Sequence, residues 1–219
     1  MKRFHARIAL FCAAAIAGSA FGAPAHAESP LTQSDALRQR MVAQSQDVQS
    51  YTASVHADIA MHSFPFISPS LDGTYYHKEP SKNKIVFTSG LPFMAKEFSK
   101  VYPQVESPSR RDTVYVVTTE SEGGGSTIFK LVPRKHGRVD HIDATVDQKT
   151  AELTSLRWNY NDGGYATLEQ TYGTVDGHRL VTEQSGHFEV PHYNADLKST
   201  FKDFKLNAQI PDSVFDSDG

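Results

Sequence analysis

The chain has 219 residues, 22 Lys+Arg against 25 Asp+Glu, and a single cysteine, for a formal net charge of −3. That balance excludes nucleic acid or an anionic membrane surface as the main partner. One cysteine cannot form an intramolecular disulfide, so a hydrophobic core must hold the fold.

Residues 1–27 read as an export leader. Lys2, Arg3 and Arg7 form a basic start, residues 8–17 an apolar run too short to span a bilayer, and Ala25-His26-Ala27 a cleavage pattern. Cys12 follows Leu10-Phe11, where a lipid-attachment site would need a small residue, so no lipid anchor is expected. Cleavage would leave 192 residues (219 − 27) with 19 Lys+Arg (22 − 3), a charge of −6 and no cysteine. That length suits one domain, over residues 28–215 with a frayed tail at 216–219, burying roughly 70% of its unfolded surface.

Residues 30–49 are the one long helical candidate, with Leu31, Leu37, Met41, Val42 and Val48 near helical spacing and Ser34-Asp35 as caps. From Tyr51 the period becomes two. Tyr51, Ala53, Val55, Ala57, Ile59 and Met61 share one face of a long half-buried strand, and Thr52, Ser54, His56, Asp58 and His62 share the other. Strands are expected at 72–78 and 84–88 around Pro80, and at 113–119 and 127–133 around the Gly-rich turn Glu122-Gly123-Gly124-Gly125. Five more follow at 138–147, 153–160, 166–172, 179–190 and 195–206, so about nine or more strands should form an antiparallel meander. One segment departs from this pattern. Residues 91–102 carry Phe93, Met94, Phe98, Val101 and Tyr102 on one helical face between Pro92 and Pro103, and read as a short lid over the sheet.

Chemistry-bearing residues are scattered. Two of the ten histidines fall in the leader, and the remaining eight make no compact ligand motif: His56 and His62 lie roughly 20 Å apart on an extended strand. His141 with Asp143, and His187 with His192, are pairs only. No G-x-S-x-G elbow is present, Gly123-Gly124-Gly125-Ser126 lacks the following helix of a phosphate loop, and Glu120, Glu122, Asp140 and Asp143 have no defined separation. No enzyme, cofactor or metal is expected. The strongest signal is apolar: Val55, Ala57, Ile59 and Met61; Val114 and Val116; Ile142, Ala144 and Val146; Leu156, Trp158 and Tyr160 form same-face rows. These rows could be simple core. One long and one short helix are little cover for so many strands, however, and incomplete cover leaves a concave apolar pocket.

Residues 73–87, GTYYHKEPSKNKIVF, then become informative. With Gly73, Lys78, Pro80 and Lys84 at ungapped spacing, the preceding helix and alternating strand, the Asp147-Gln148-Lys149 turn and the closing Ile210-Pro211-Asp212, the chain resembles the periplasmic lipoprotein carriers (LolA/LolB-like). The departures are Lys84 for the family's arginine, Glu79 for a usual basic residue, and Ser89-Gly90 in place of a Trp-containing hairpin. The resemblance implies a half-open antiparallel β-barrel with an N-terminal helix and a short lid helix over an apolar concave face. It implies a soluble periplasmic, monomeric, non-enzymatic carrier of lipid or lipoprotein acyl chains, partnered by inner- and outer-membrane transport components. In a cell without an outer membrane the same chain would be secreted. The cavity and lid would comprise the rows above with Tyr75, Phe87, Phe93, Met94, Phe98 and Val101, and Lys84 would be either a lid latch or an ordinary solvated cation. Two other readings stay open: an envelope lipid-sensing module of the same fold, and a secreted hydrolase.

Overall fold

The computed structural model describes residues 31–63, 68–89, 105–191 and 193–216. The leader, the expected lid with Phe93, Met94, Phe98 and Val101, and His192 lie outside the described residues.

Helix α1 (Gln33–Ser45) is shorter than residues 30–49 and begins at a different cap: Thr32 Oγ1 accepts a hydrogen bond from the Asp35 amide at 3.1 Å. A Thr hydroxyl there satisfies one of the orphan amides of the first turn, and Asp35 falls inside that turn, favourably placed for the helix dipole. Leu37 and Met41, one turn apart, are its buried residues, whereas Leu31 precedes the helix and is exposed.

Ten strands follow: β1 (Ser50–Met61), β2 (Ser70–Lys78), β3 (Lys82–Phe87), β4 (Tyr115–Gly123), β5 (Ser126–Pro133), β6 (Val139–Asp147), β7 (Leu153–Tyr160), β8 (Tyr165–Val175), β9 (His178–Val190) and β10 (Tyr193–Leu206). Among the described residues two single helical turns are also present, α2 (Arg111–Val114) before β4 and α3 (Ser213–Asp216) after β10. The strands form one antiparallel sheet in the order β3-β2-β1-β10-β9-β8-β7-β6-β5-β4, open between its outer strands: a half-barrel. The β4–β5 hairpin turns at Gly124 and Gly125, whose φ values of +60° and +82° favour glycine and match the twist of the flanking strands.

The meander holds in two runs, β1 to β3 and β4 to β10, but not throughout. After β3 the chain leaves one edge of the sheet and reaches the other at β4, and the runs are sealed by β1 pairing with β10. Part of this crossing is visible: the Ser107 amide donates to Ser81 Oγ at 3.2 Å and Ser107 Oγ to Glu79 at 3.0 Å, both at the β2–β3 turn. Beyond it, Asp112 accepts from Arg38 of α1 at 2.6 Å.

Strand register aligns the apolar rows into rungs. One runs through Leu131, Ile142, Trp158, Ala166, Phe188, Ala195 and Met61, pairing across seven strands. Every member is buried, and alanines beside Trp158 and Phe188 make room for the large rings. The next rung runs Phe129, Ala144, Leu156, Leu168, Gly186, Leu197 and Ile59. Helix α1 covers the β4–β9 part of this face, placing Leu37 and Met41 in one cluster with Phe129, Leu131, Ile142, Val146 and Trp158. Its exposed side is tied to the β6–β7 turn, where Arg40 donates to the Gln148 and Lys149 carbonyls and Gln44 to that of Thr150.

The expected Val114–Val116 row is corrected. Arg111–Val114 is a helical turn, so the strand starts at Tyr115, which points inward, while Val116 faces solvent with 46% exposure. Val114 packs against the main cluster from the helical turn.

Candidate functional site: a cavity on the inner face

Where α1 ends, the inner face is no longer filled. A cavity of about 910 Å³ lies between the C-terminal part of α1, strands β1–β3 and β7–β10, the crossing segment 105–111 and Phe215 of α3. Its size is in the upper part of the range for small-molecule sites, roughly 300–1,000 Å³. Of the expected residues, Ala57, Ile59, Tyr75, Lys84, Phe87, Leu156 and Trp158 line it. Val55 instead packs with Ala53 and Phe201, Met61 with Leu71 and Ala195, and Ile142, Ala144, Val146 and Tyr160 in the main cluster. These six belong to the close-packed core around the cavity, and Val116 lies on the opposite face.

Lys84 is half-buried at the rim, opposite Tyr76 in the β2–β3 register. Its expected latch contact to 91–102 lies outside the described residues. The motif's other members have clear structural roles. Gly73 permits close approach of β3, because a Cβ there would lie 2.6 Å from the Val86 carbonyl oxygen. Lys78 donates to Asp212 at 2.8 Å and, with Lys82 at 3.0 Å, pins the C-terminal segment to the hairpin. The two ammonium groups hold the Asp212 carboxyl below its usual range.

One wall is aromatic and polar together. Tyr51 packs on Tyr75 and His77, with centroids 5.7 and 4.8 Å apart, and Tyr75 meets Phe201 edge-on at 5.5 Å. Asn83 Oδ1 accepts from the Tyr75 hydroxyl at 2.7 Å and lies 2.6 Å from His77 Nδ1. His77 in turn lies 3.5 Å from Glu79. Burial, with Tyr75 and Glu79 nearby, pushes the Tyr51 hydroxyl well above its usual pKa, so it stays neutral. Tyr172, held to the Leu153 carbonyl at 3.1 Å, is likewise driven up by burial.

Three features were not apparent in the sequence. Gln170, Gln184 and Ser199 align in register with Ala57 and place a polar rung on the cavity wall. Alternation in β8 to β10 could have shown that these positions face inward, but their polarity argued for solvent. Leu168, Phe188, Leu197 and Phe201 line the floor, and the same alternation could have placed them. Arg111, 8% exposed, also lines the cavity. In Arg110-Arg111-Asp112 it looks like a solvated charge, and no sequence signal separates it from its neighbours.

His77 and His178 line the cavity, whereas His56, His62, His141 and His187 do not. His56 pairs with Asp72 at 2.7 Å, His62 and His187 both reach Asp196 at 2.7 Å, and His141 contacts Asp140 at 2.6 Å. Among the described residues no three His, Cys, Asp or Glu side chains converge to hold a metal ion, and no helix is long and apolar enough to cross a membrane.

No protein-family model and no curated protein sequence matches the chain. Solved structures do, and they show the fold: it is LolA-like. A Vibrio parahaemolyticus domain described as an outer membrane lipoprotein-sorting protein superposes with a TM-score of 0.62 at 10% identity, covering 82% of this chain and 94% of its own. A LolA superfamily protein from Nitrosomonas europaea gives 0.59 at 9%, covering 84% and 98%. A DUF1329 family protein from Desulfovibrio piger gives 0.61 at 12%, covering 82% and 95%.

Proposed function

We propose that this chain is an exported, non-enzymatic carrier that shields the acyl chains of a lipid or lipoprotein during transit through the periplasm. The observation that carries this reading is the cavity of about 910 Å³ with Ile59, Phe87, Leu156, Trp158, Leu168 and Phe188 in its walls. Each acyl methylene moved from water to such a wall gains about 0.8 kcal/mol, so chain burial supplies the driving force without specific contacts. The likeness to a lipoprotein-sorting domain and a LolA superfamily protein supports the same reading.

The test combines organic extraction of the purified protein with titration of a fluorescent fatty-acyl probe. Saturable binding of one probe per chain is expected, and Phe87→Glu, which places a carboxylate on the partly exposed cavity wall, should weaken it about tenfold or more while leaving the far-ultraviolet circular dichroism unchanged. A protein that carries no lipid and binds no probe is not a carrier.

A further inference from the structure

Among the described residues, Arg111 lines the cavity as a buried cation without an ion-pair partner. Arg111 enters from α2 and is 8% exposed, yet no carboxylate lies within ion-pair distance of it among the described residues. Its Nε donates to the Glu106 carbonyl at 3.3 Å. Both oxygens of Asp112 accept from Arg38 at 2.6 Å, Glu152 is held by Arg179 at 2.7 Å, and Glu106, which also lines the cavity, has Arg110 at 3.9 Å as its ion-pair contact. Arg38 adds a second positive charge nearby, and Tyr172 and Tyr115 contribute neutral hydroxyls. Burial lowers the Arg111 pKa to about 10, which leaves it cationic at neutral pH.

An uncompensated buried charge is among the more costly features a fold can keep. A planar guanidinium with free terminal donors is matched by a carboxylate or a phosphate. We propose that Arg111 anchors the anionic head group, carboxylate or phosphate, of a single-headed amphiphile whose tail lies along the apolar cavity floor. This inference rests on the carrier reading and narrows it: the cargo bears a negative charge next to its chain, and a neutral diacylglyceryl group would leave Arg111 unmatched.

The experiment is competition against the bound fluorescent probe by four ligands of wild-type protein: dodecanoate, dodecyl phosphate, methyl dodecanoate and inorganic phosphate. The two anionic amphiphiles should displace the probe with affinities roughly ten- to hundredfold above that of the ester, the range a charged hydrogen bond supplies. Inorganic phosphate alone should not compete. Arg111→Leu should bring acid and ester to equal affinity while keeping ester binding, and Arg111→Lys should keep a preference for the anions. Equal affinity of wild-type protein for dodecanoate and its ester overturns the anchor and leaves the carrier reading standing. Competition by inorganic phosphate as strong as by dodecyl phosphate overturns the amphiphile and makes this a free-anion site. Failure of all four ligands and the probe overturns the carrier reading too. The wild-type comparison does not depend on any variant folding.

Discussion

The inner face of the sheet has two halves that begin from the same alternating pattern and end differently. Under α1, the rung from Leu131 to Phe188 is filled by Trp158 between Ile142 and Ala166 and sealed by Leu37 and Met41. Towards β1–β3, the face carries Ala57, Ser199, Gln184 and Gln170 and stays hollow. Apolar alternation decides which face points inward. Side-chain volume and the reach of the covering helix decide whether that face becomes core or cavity.

The sharpest way to break this comparison is to truncate one aromatic residue in each half. Phe129→Ala in the packed half should cost about 3–5 kcal/mol in urea unfolding, because the void it leaves is closed on all sides. Phe201→Ala, which opens onto existing space, should cost only about 1–2 kcal/mol, mostly lost burial and the edge contact with Tyr75. Equal losses would mean that the cavity is as tightly filled as the core. Next in size is Gly73→Ala. Its Cβ would press on the Val86 backbone, and we expect a loss of about 1–3 kcal/mol together with altered probe affinity, since β3 forms a cavity wall. A stability loss with unchanged affinity would separate the motif glycine from the site.

The smallest expected effect concerns the turn to which α1 is tethered. Asp147 accepts hydrogen bonds from the Thr150 and Lys149 amides at 2.7 and 2.9 Å, and these hold its carboxyl below the usual 3.8. A depressed carboxyl contributes stability that is complete above about pH 4 and is lost as pH falls through the lower folded value. Asp147→Asn should therefore lower the neutral plateau slightly and leave the acid end nearly unchanged, flattening the acid limb of a stability-versus-pH curve. An unaltered acid limb would assign the acid sensitivity to other carboxylates.

How much of this was readable in the chain depended on whether the signal was local. The inward row of β1 was, because five buried residues alternate without a break from Ala53 to Met61. The bounds of β7 and the glycine turn after β4 were also local, set by period and by positive φ. Val116 was misplaced because one helical turn, Arg111–Val114, shifts the phase of the strand that follows, and propensity does not show a four-residue helix. That β3 and β4 end up at opposite edges of the sheet is a tertiary fact without a sequence period. Arg111 is harder still, since burial of a cation follows from what surrounds it in space.

The pairing of β1 with β10 also has a consequence in time. The first strand made by the ribosome takes as its neighbour the last, so its apolar row cannot be sheltered until nearly the whole chain exists. Pairing at such sequence separation makes folding slow, and the nascent chain presents an uncovered sticky edge throughout.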